Sequence, residues 1–155
     1  MHVVDSCAIF MKKRYRDMVT VPEVIEEIKD KNSRLFLSII DIRVEDADAE
    51  SVKKVKKVAT ESGDIHKLSD TDIKLIAKAL ELKEKDAVLV TDDYAIQNVA
   101  SLLGIQVDNI LQPTIEKTYR WTRMCRGCGR QTDHDTCPVC GSETYLRKED
   151  IARDL

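Results

Sequence analysis

Apolar residues fall along this chain in two alternating rhythms. Short runs, His2-Val3-Val4-Asp5 and Val88-Leu89-Val90, are apolar almost throughout and stop at carboxylates, as buried strands do. Between and after them the spacing becomes helical. Ile73, Ile76, Ala77 and Leu80 recur at i, i+3, i+4, i+7, and Ile96, Val99, Ala100 and Leu103 repeat the pattern before Gly104. Ser69 with Asp72 three residues on forms a helix start of capping-box type. Val52, Val55, Val58 and Ala59 predict a helix from Asp46 to Ser62, closed by Gly63.

The remaining elements are read from local signals. Ser6 to Tyr15 reads as a turn and short helix, and Met18 to Val21 as extended. Pro22 opens a helix at the position where its missing N–H is not needed, with Glu23 in the first turn and an end near Asp30 to Asn32. The stretch from Leu35 to Val44 predicts a strand, best placed at Ile39 to Val44, and Ile105 to Val107 a last short one. Strands alternating with amphipathic helices imply an α/β fold, a parallel sheet covered on both faces.

Composition refines this picture. A chain of 155 residues holds one domain, or one plus a small module, and 43% hydrophobic residues suffice for a core. The net charge of −3 argues against a generally polybasic nucleic-acid binder. Residues 1–116 carry net −5 and residues 117–155 net +2, an acidic body with a mildly basic tail. The start lacks the basic leader and long apolar core of a signal peptide, and no run reaches membrane-spanning length. A soluble, cytoplasmic protein without a membrane partner is expected. Lys53, Lys54, Lys56 and Lys57 read as the solvated face of their helix rather than an RNA site.

Four of the five cysteines form Cys125-x-x-Cys128 and Cys137-x-x-Cys140, each pair followed by glycine, Gly129 and Gly141. Two such knuckles build a tetrahedral four-cysteine site suited to one structural Zn²⁺, with no open position for water. So short a module folds only with its metal. His134 between the pairs reads as a loop residue, and His2 and His66 as structural. Tyr119, Arg120, Trp121, Arg123, Arg126, Arg130, Tyr145, Arg147 and Lys148 around the module suit RNA phosphates and bases. Trp121 can equally pack the module onto the first domain.

In a parallel sheet, strand C-termini and helix N-termini share one edge, where ligands bind. Asp5, Asp92 and Asp93 end strands, and Glu23 and Asp72 start helices, so these carboxylates can converge on a hard cation, Mg²⁺ or Mn²⁺. The implied chemistry is attack of metal-activated water on a phosphodiester. The plain alternative is that Asp72, Asp92 or Asp93, and Glu23 only cap helices or complement helix dipoles.

Asp5-Ser6-Cys7, Val21-Pro22-Glu23-Val24, Leu68-Ser69-x-x-Asp72 and Val90-Thr91-Asp92-Asp93 resemble the four acidic motifs of PIN-domain nucleases. Thr91-Asp92-Asp93-Tyr94-Ala95-x-Gln97-Asn98-Val99-Ala100 joined to a four-cysteine ribbon resembles, more specifically, the Nob family (Nin-one-binding protein), in its short archaeal form. The resemblance spans roughly residues 2–148. It implies a PIN-like three-layer α/β/α domain at 1–112, a linker at 113–123, a zinc ribbon at 124–148 and a tail at 149–155. It implies a metal-dependent endoribonuclease maturing the 3′ end of small-subunit (16S/18S-type) ribosomal RNA. Its partners would be the pre-rRNA, the pre-ribosomal particle and a KH-domain assembly factor. Asp5, Glu23, Asp72 and the Asp92/Asp93 pair fall on the family's metal-binding acids; many PIN domains place the last acid third in the run that Thr91 begins, here Asp93. Cys7 reads as a small buried residue, not a nucleophile. A toxin-type PIN ribonuclease and a non-catalytic RNA-binding assembly factor are the alternatives.

Overall fold

The computed structural model of the chain describes residues 1–110 and 118–151. The first part runs β1 (His2–Val4), α1 (Ser6–Phe10), β2 (Met18–Thr20), α2 (Pro22–Glu27), α3 (Lys31–Ile39), β3 (Ile42–Val44), α4 (Ala49–Ser62), α5 (Asp70–Glu81), β4 (Val88–Val90), α6 (Tyr94–Leu102) and β5 (Gln106–Asp108). A 3₁₀ turn, Asp64–Lys67, links α4 to α5. The five strands are all parallel, in the order β3-β2-β1-β4-β5. The chain builds outward from β1 on one side and then returns to its other side, so the order reverses between β1 and β4. Such a switch point opens a crevice at the strand C-termini.

Alternation along the strands divides the core. Val3 and its cross-strand partner Leu89 face the larger cluster, with Val55 and Ala59 of α4, Ile76 of α5 and Val99 of α6. Val4 and Val90, also paired, face the opposite way with Ala8 and Met18. Each fully buried Val, Leu or Ile contributes about 1.5–3 kcal/mol from removal of apolar surface.

The structure corrects the reading of residues 31–44. The expected strand from Ile39 is only Ile42–Val44, and a helix, α3, precedes it. Asp30 starts that helix by accepting from the Ser33 N–H at 2.9 Å. The helical period is invisible because Phe36 alone is an apolar residue buried along α3, while Leu35 and Ile39 are each 62% exposed. The preceding helix α2 ends at Glu27, earlier than expected, since Ile28 turns extended. Helix α4 starts at Ala49 rather than Asp46, because Asp48 caps it through the Ser51 N–H at 2.7 Å. Its lysines 53, 54, 56 and 57 are exposed, as a solvated face requires.

Beyond the sheet, β6 (Thr118–Cys125) and β7 (Thr144–Ile151) form an antiparallel hairpin carrying the cysteine knuckles. Its strands reach into the stretches read as linker and tail; residues 111–117 and 152–155 lie outside the described residues. The hairpin sits against the C-terminal end of α4. Gly63 there has φ +82, and a Cβ on it would lie 2.1 Å from the Trp121 carbonyl oxygen. Gly63→Ala therefore meets both a left-handed backbone and a backbone clash. The expected loss is roughly 1–2 kcal/mol for the backbone alone, or about 2–8 °C in Tm, with a shift in Trp121 emission. An unchanged melting curve would show that this contact is not made. Among the described residues no helix is long and apolar enough to cross a membrane.

Candidate active site

Asp5 leaves β1 while its N–H still bonds to the Val90 carbonyl of β4, at 3.1 Å. Its Oδ1 accepts from the Ser6 N–H at 2.7 Å, capping α1, and its Oδ2 accepts from the Thr91 hydroxyl at 2.8 Å. The same Thr91 Oγ1 accepts from the Asp93 N–H at 3.2 Å. Asp93 caps α6, its Oδ1 accepting from Ala95 at 2.8 Å. Asp72 completes the capping box of α5, its Oδ2 accepting from the Ser69 N–H at 2.8 Å. The capping reading of Asp72 and Asp93 is thus correct, and caps at this edge also hold their carboxylates at the crevice.

Electrostatics ties these three together. Burial pushes the Asp5 carboxyl above its ordinary range; bonds from Thr91 and Ser6 oppose this, and the charges of Asp72 and Asp93 add to it. Asp72 is likewise raised, first by burial, with the charges of Asp93 and Glu27 contributing. Clustered carboxylates of this kind ionise together only beside a compensating cation.

Glu23 and Asp92 are placed differently. Glu23, in the first turn of α2, is ion-paired through Oε1 with Lys74 of α5, which also lies 3.7 Å from Asp46. The other oxygen, Oε2, is buried without a hydrogen-bond partner. An orphaned anionic oxygen of this kind fits an oxygen-liganded divalent ion. Asp92 has a bond that the other acids do not share, its Oδ1 accepting from the Ile110 N–H at 2.7 Å. Among the described residues only the four cysteine sulfurs discussed below gather within 4.8 Å of one another as a ready ion site, and the carboxylates do not.

Two supports were not evident from sequence. Thr91 is fully buried and binds Asp5 and Asp93 at once. Asp64 is 2% exposed, accepts from Ser62 at 2.8 Å and Asn98 at 2.6 Å, and is raised by burial, with Asp93 adding to the shift. Thr91 could have been found from its place between an apolar strand and an acid. Asp64 carries no local signal, since Asn98 lies 34 residues away.

Cys7 is half-buried rather than buried. Burial, then the Asp5 charge, push its thiol up to about 11. At pH 8 it is almost entirely protonated, so iodoacetamide should modify it far more slowly than a free thiol of ordinary pKa near 8.5. Mass spectrometry on folded protein checks this; alkylation at the rate of a free thiol would contradict it.

In the hairpin module the four cysteine sulfurs lie within 4.8 Å of one another and could hold a metal ion. Gly129 and Gly141 take φ of 73 and 74, and their N–H groups bond back to Cys125 and Cys137 carbonyls at 3.2 and 2.9 Å. The Gly127 and Cys128 N–H groups approach Cys125 Sγ at 3.3 and 3.4 Å. Hydrogen bonds from Ser142 draw the Cys140 thiol down. His134 is exposed in a loop outside the sulfur cluster. Trp121 is half-buried, with Lys67 Nζ 3.4 Å and Lys148 Nζ 5.9 Å from its ring centroid. Arg123 and Arg147 pair with Asp135 and Glu149.

Residues 2–82 match the family described as PIN domain of ribonuclease. Fold and match together define a PIN-domain ribonuclease. An Endoribonuclease Nob1 of Archaeoglobus fulgidus is 57% identical over 150 residues, 95% of this chain and 90% of the relative. An Endoribonuclease Nob1 of Methanothermobacter thermautotrophicus is 40% identical over 86% of this chain and 83% of its own. A Ribonuclease VapC1 of Thermoplasma acidophilum is 35% identical over 99% of this chain and 83% of its own. The chain belongs to the family of the archaeal Nob1 endoribonucleases.

Proposed function

We propose that this protein is a divalent-metal-dependent endoribonuclease that matures the 3′ end of small-subunit ribosomal RNA. One observation carries the chemistry: Asp5, Asp72 and Asp93 converge, mutually repelling, where the strand order reverses between β1 and β4. The relatives named as endoribonucleases support the reaction class. Asp5, Asp72, Asp93 and the free oxygen of Glu23 would hold Mg²⁺ or Mn²⁺. When bound, such an ion neutralises phosphate charge and makes water acidic enough to attack phosphorus at neutral pH. Thr91 fixes the Asp5 oxygens, and the caps of α5 and α6 fix Asp72 and Asp93. Asp92 serves as a latch to the segment after β5, so Asp93 leads the pair.

The four-cysteine site would hold one structural Zn²⁺, as four thiolates in tetrahedral reach select. On this reading the nuclease unit spans 1–112, and the module at 124–148, with its flanking strands, docks RNA. The partners are the small-subunit pre-rRNA in its pre-ribosomal particle and a KH-domain assembly factor, in the cytoplasm, where thiols stay reduced. The test is cleavage of a small-subunit pre-rRNA 3′ fragment with Mn²⁺, followed by mapping of product ends. One cut at the mature 3′ end is expected. Scattered cuts, or none, would contradict the assignment.

A further inference from the structure

Helix α6 buries two amide side chains, Gln97 and Asn98, between the apolar Ile96 and Val99. Gln97 is fully buried and Asn98 is 3% exposed. Burying an amide is costly unless it is hydrogen-bonded, so its partners show what it does. Adjacent side chains on a helix point about 100° apart, and these two reach different neighbours. Gln97 Nε2 donates to the Thr91 carbonyl at 2.9 Å. Asn98 Nδ2 donates to Asp64 Oδ2 at 2.6 Å.

Both bonds lead to the acids. Thr91, held by Gln97 through its carbonyl, donates its hydroxyl to Asp5 at 2.8 Å and accepts from the Asp93 N–H at 3.2 Å. Asp64, held by Asn98, begins the 3₁₀ turn that leads through Leu68 to the Ser69–Asp72 capping box. Asp93 caps α6 itself. Asp5, Asp72 and Asp93 thus stand on three separate elements, and their charges repel. Their spacing depends on what joins those elements, and the two amides join α6 to the end of β4 and to the turn before α5.

We infer that Gln97 and Asn98 are positioning residues for the divalent-metal site: one amide fixes Thr91, and so Asp5 against Asp93, while the other fixes the turn into α5, and so Asp72 against Asp93. They act through these partners, from inside the core, without touching ion or RNA. Fully bonded buried networks specify one arrangement of the groups they join. Residues standing behind metal ligands typically set affinity or activity by about 10–100-fold. An apolar side chain at either position fills similar space but leaves the Thr91 carbonyl or the Asp64 carboxylate short of a donor, and lets the repelling acids spread.

The inference rests on the reading of Asp5, Asp72 and Asp93 as metal acids, and its test separates the two. Mn²⁺ alone is titrated into full-length, zinc-loaded protein without RNA, and free Mn²⁺ is read from its electron paramagnetic resonance signal. The parent should show a Mn²⁺ site that Asp5→Asn loses. Gln97→Met and Asn98→Leu, similar in size but without the donor, should each weaken that site about 10–100-fold. In cleavage assays the Mn²⁺ concentration giving half the maximal rate should rise by the same factor, while saturating Mn²⁺ restores most of the rate. Asp64→Asn combined with Asn98→Asp reverses donor and acceptor and should recover affinity that Asn98→Leu loses. Phe36→Leu, a core change on α3, which carries none of the three acids, controls for lost stability, and thermal melts show that each variant is folded. Folded Gln97→Met and Asn98→Leu that bind Mn²⁺ like the parent overturn the inference and leave the metal site standing. So does an equal loss of affinity in Phe36→Leu, or a reversed pair no better than Asn98→Leu. If the parent shows no Asp5-dependent Mn²⁺ binding, both readings fall.

Discussion

Asp5→Asn cleaves RNA at least about 10³-fold more slowly than the parent while keeping its fold, the scale of losing one electrostatic element of a charge-stabilising site. The substitution is selective because of how Asp5 is held. Asparagine keeps a side-chain oxygen to accept from Ser6, and Asn caps a helix as well as Asp does. What disappears is the negative charge at the switch point between β1 and β4, together with the oxygen that accepts from the Thr91 hydroxyl, which the amide nitrogen meets as a donor instead. The same change should stabilise the metal-free protein at neutral pH. Burial raises the Asp5 carboxyl in the folded state above its unfolded value. Its contribution to stability is therefore full below the unfolded value, near 4, and is lost as pH rises through the raised folded value. Asparagine carries no such penalty. Without divalent ions, Asp5→Asn should melt above the parent at pH 7, and the gap should close as pH falls below 4. Added Mn²⁺ should narrow it too, because it binds the folded parent. Loss of cleavage together with a lower melting temperature at pH 7 would mean that Asp5 is structural.

The second large effect follows metal removal from the cysteine site. The module has few residues to bury: Cys125 and Cys137 themselves, at 2% and 3% exposure, count among its most buried groups. Metal binding in such a unit is folding free energy, about 10–16 kcal/mol in zinc-finger peptides. Chelation, or Cys137→Ser, should melt the β6–β7 hairpin, shift Trp121 emission toward that of solvated indole and open the module's remaining thiols to alkylation. The parallel sheet should persist, because Val3, Leu89, Ile76 and Val99 form a core without the hairpin. Elemental analysis should find one zinc per untreated chain. Chelated protein with protected thiols and unchanged Trp121 emission would contradict a metal-dependent module.

How much of this could be read from the chain depended on distance along it. Strands β1 and β4 were legible because an apolar run ended by an acid is a local pattern. The capping box of α5 and the paired cysteine knuckles were legible for the same reason. Helix α3 was hidden by its own exposure, since one buried aromatic leaves no stripe to detect. The roles of Asp92 and Asp93 were undecided because both follow Thr91. Their structural bonds differ: Asp93 caps α6, while Asp92 accepts from the Ile110 N–H, 18 residues away. The Glu23–Lys74 pair spans 51 residues and Asp64–Asn98 spans 34. Neither has a spacing that a sequence pattern can announce.

The most direct measurement is anomalous diffraction from crystals grown with Mn²⁺. The account predicts one ion in the crevice between β1 and β4, with carboxylate oxygens of Asp5, Asp72 and Asp93 at about 2.0–2.2 Å. An ordered ion elsewhere, with those three carboxylates bound only to protein and water, would contradict it.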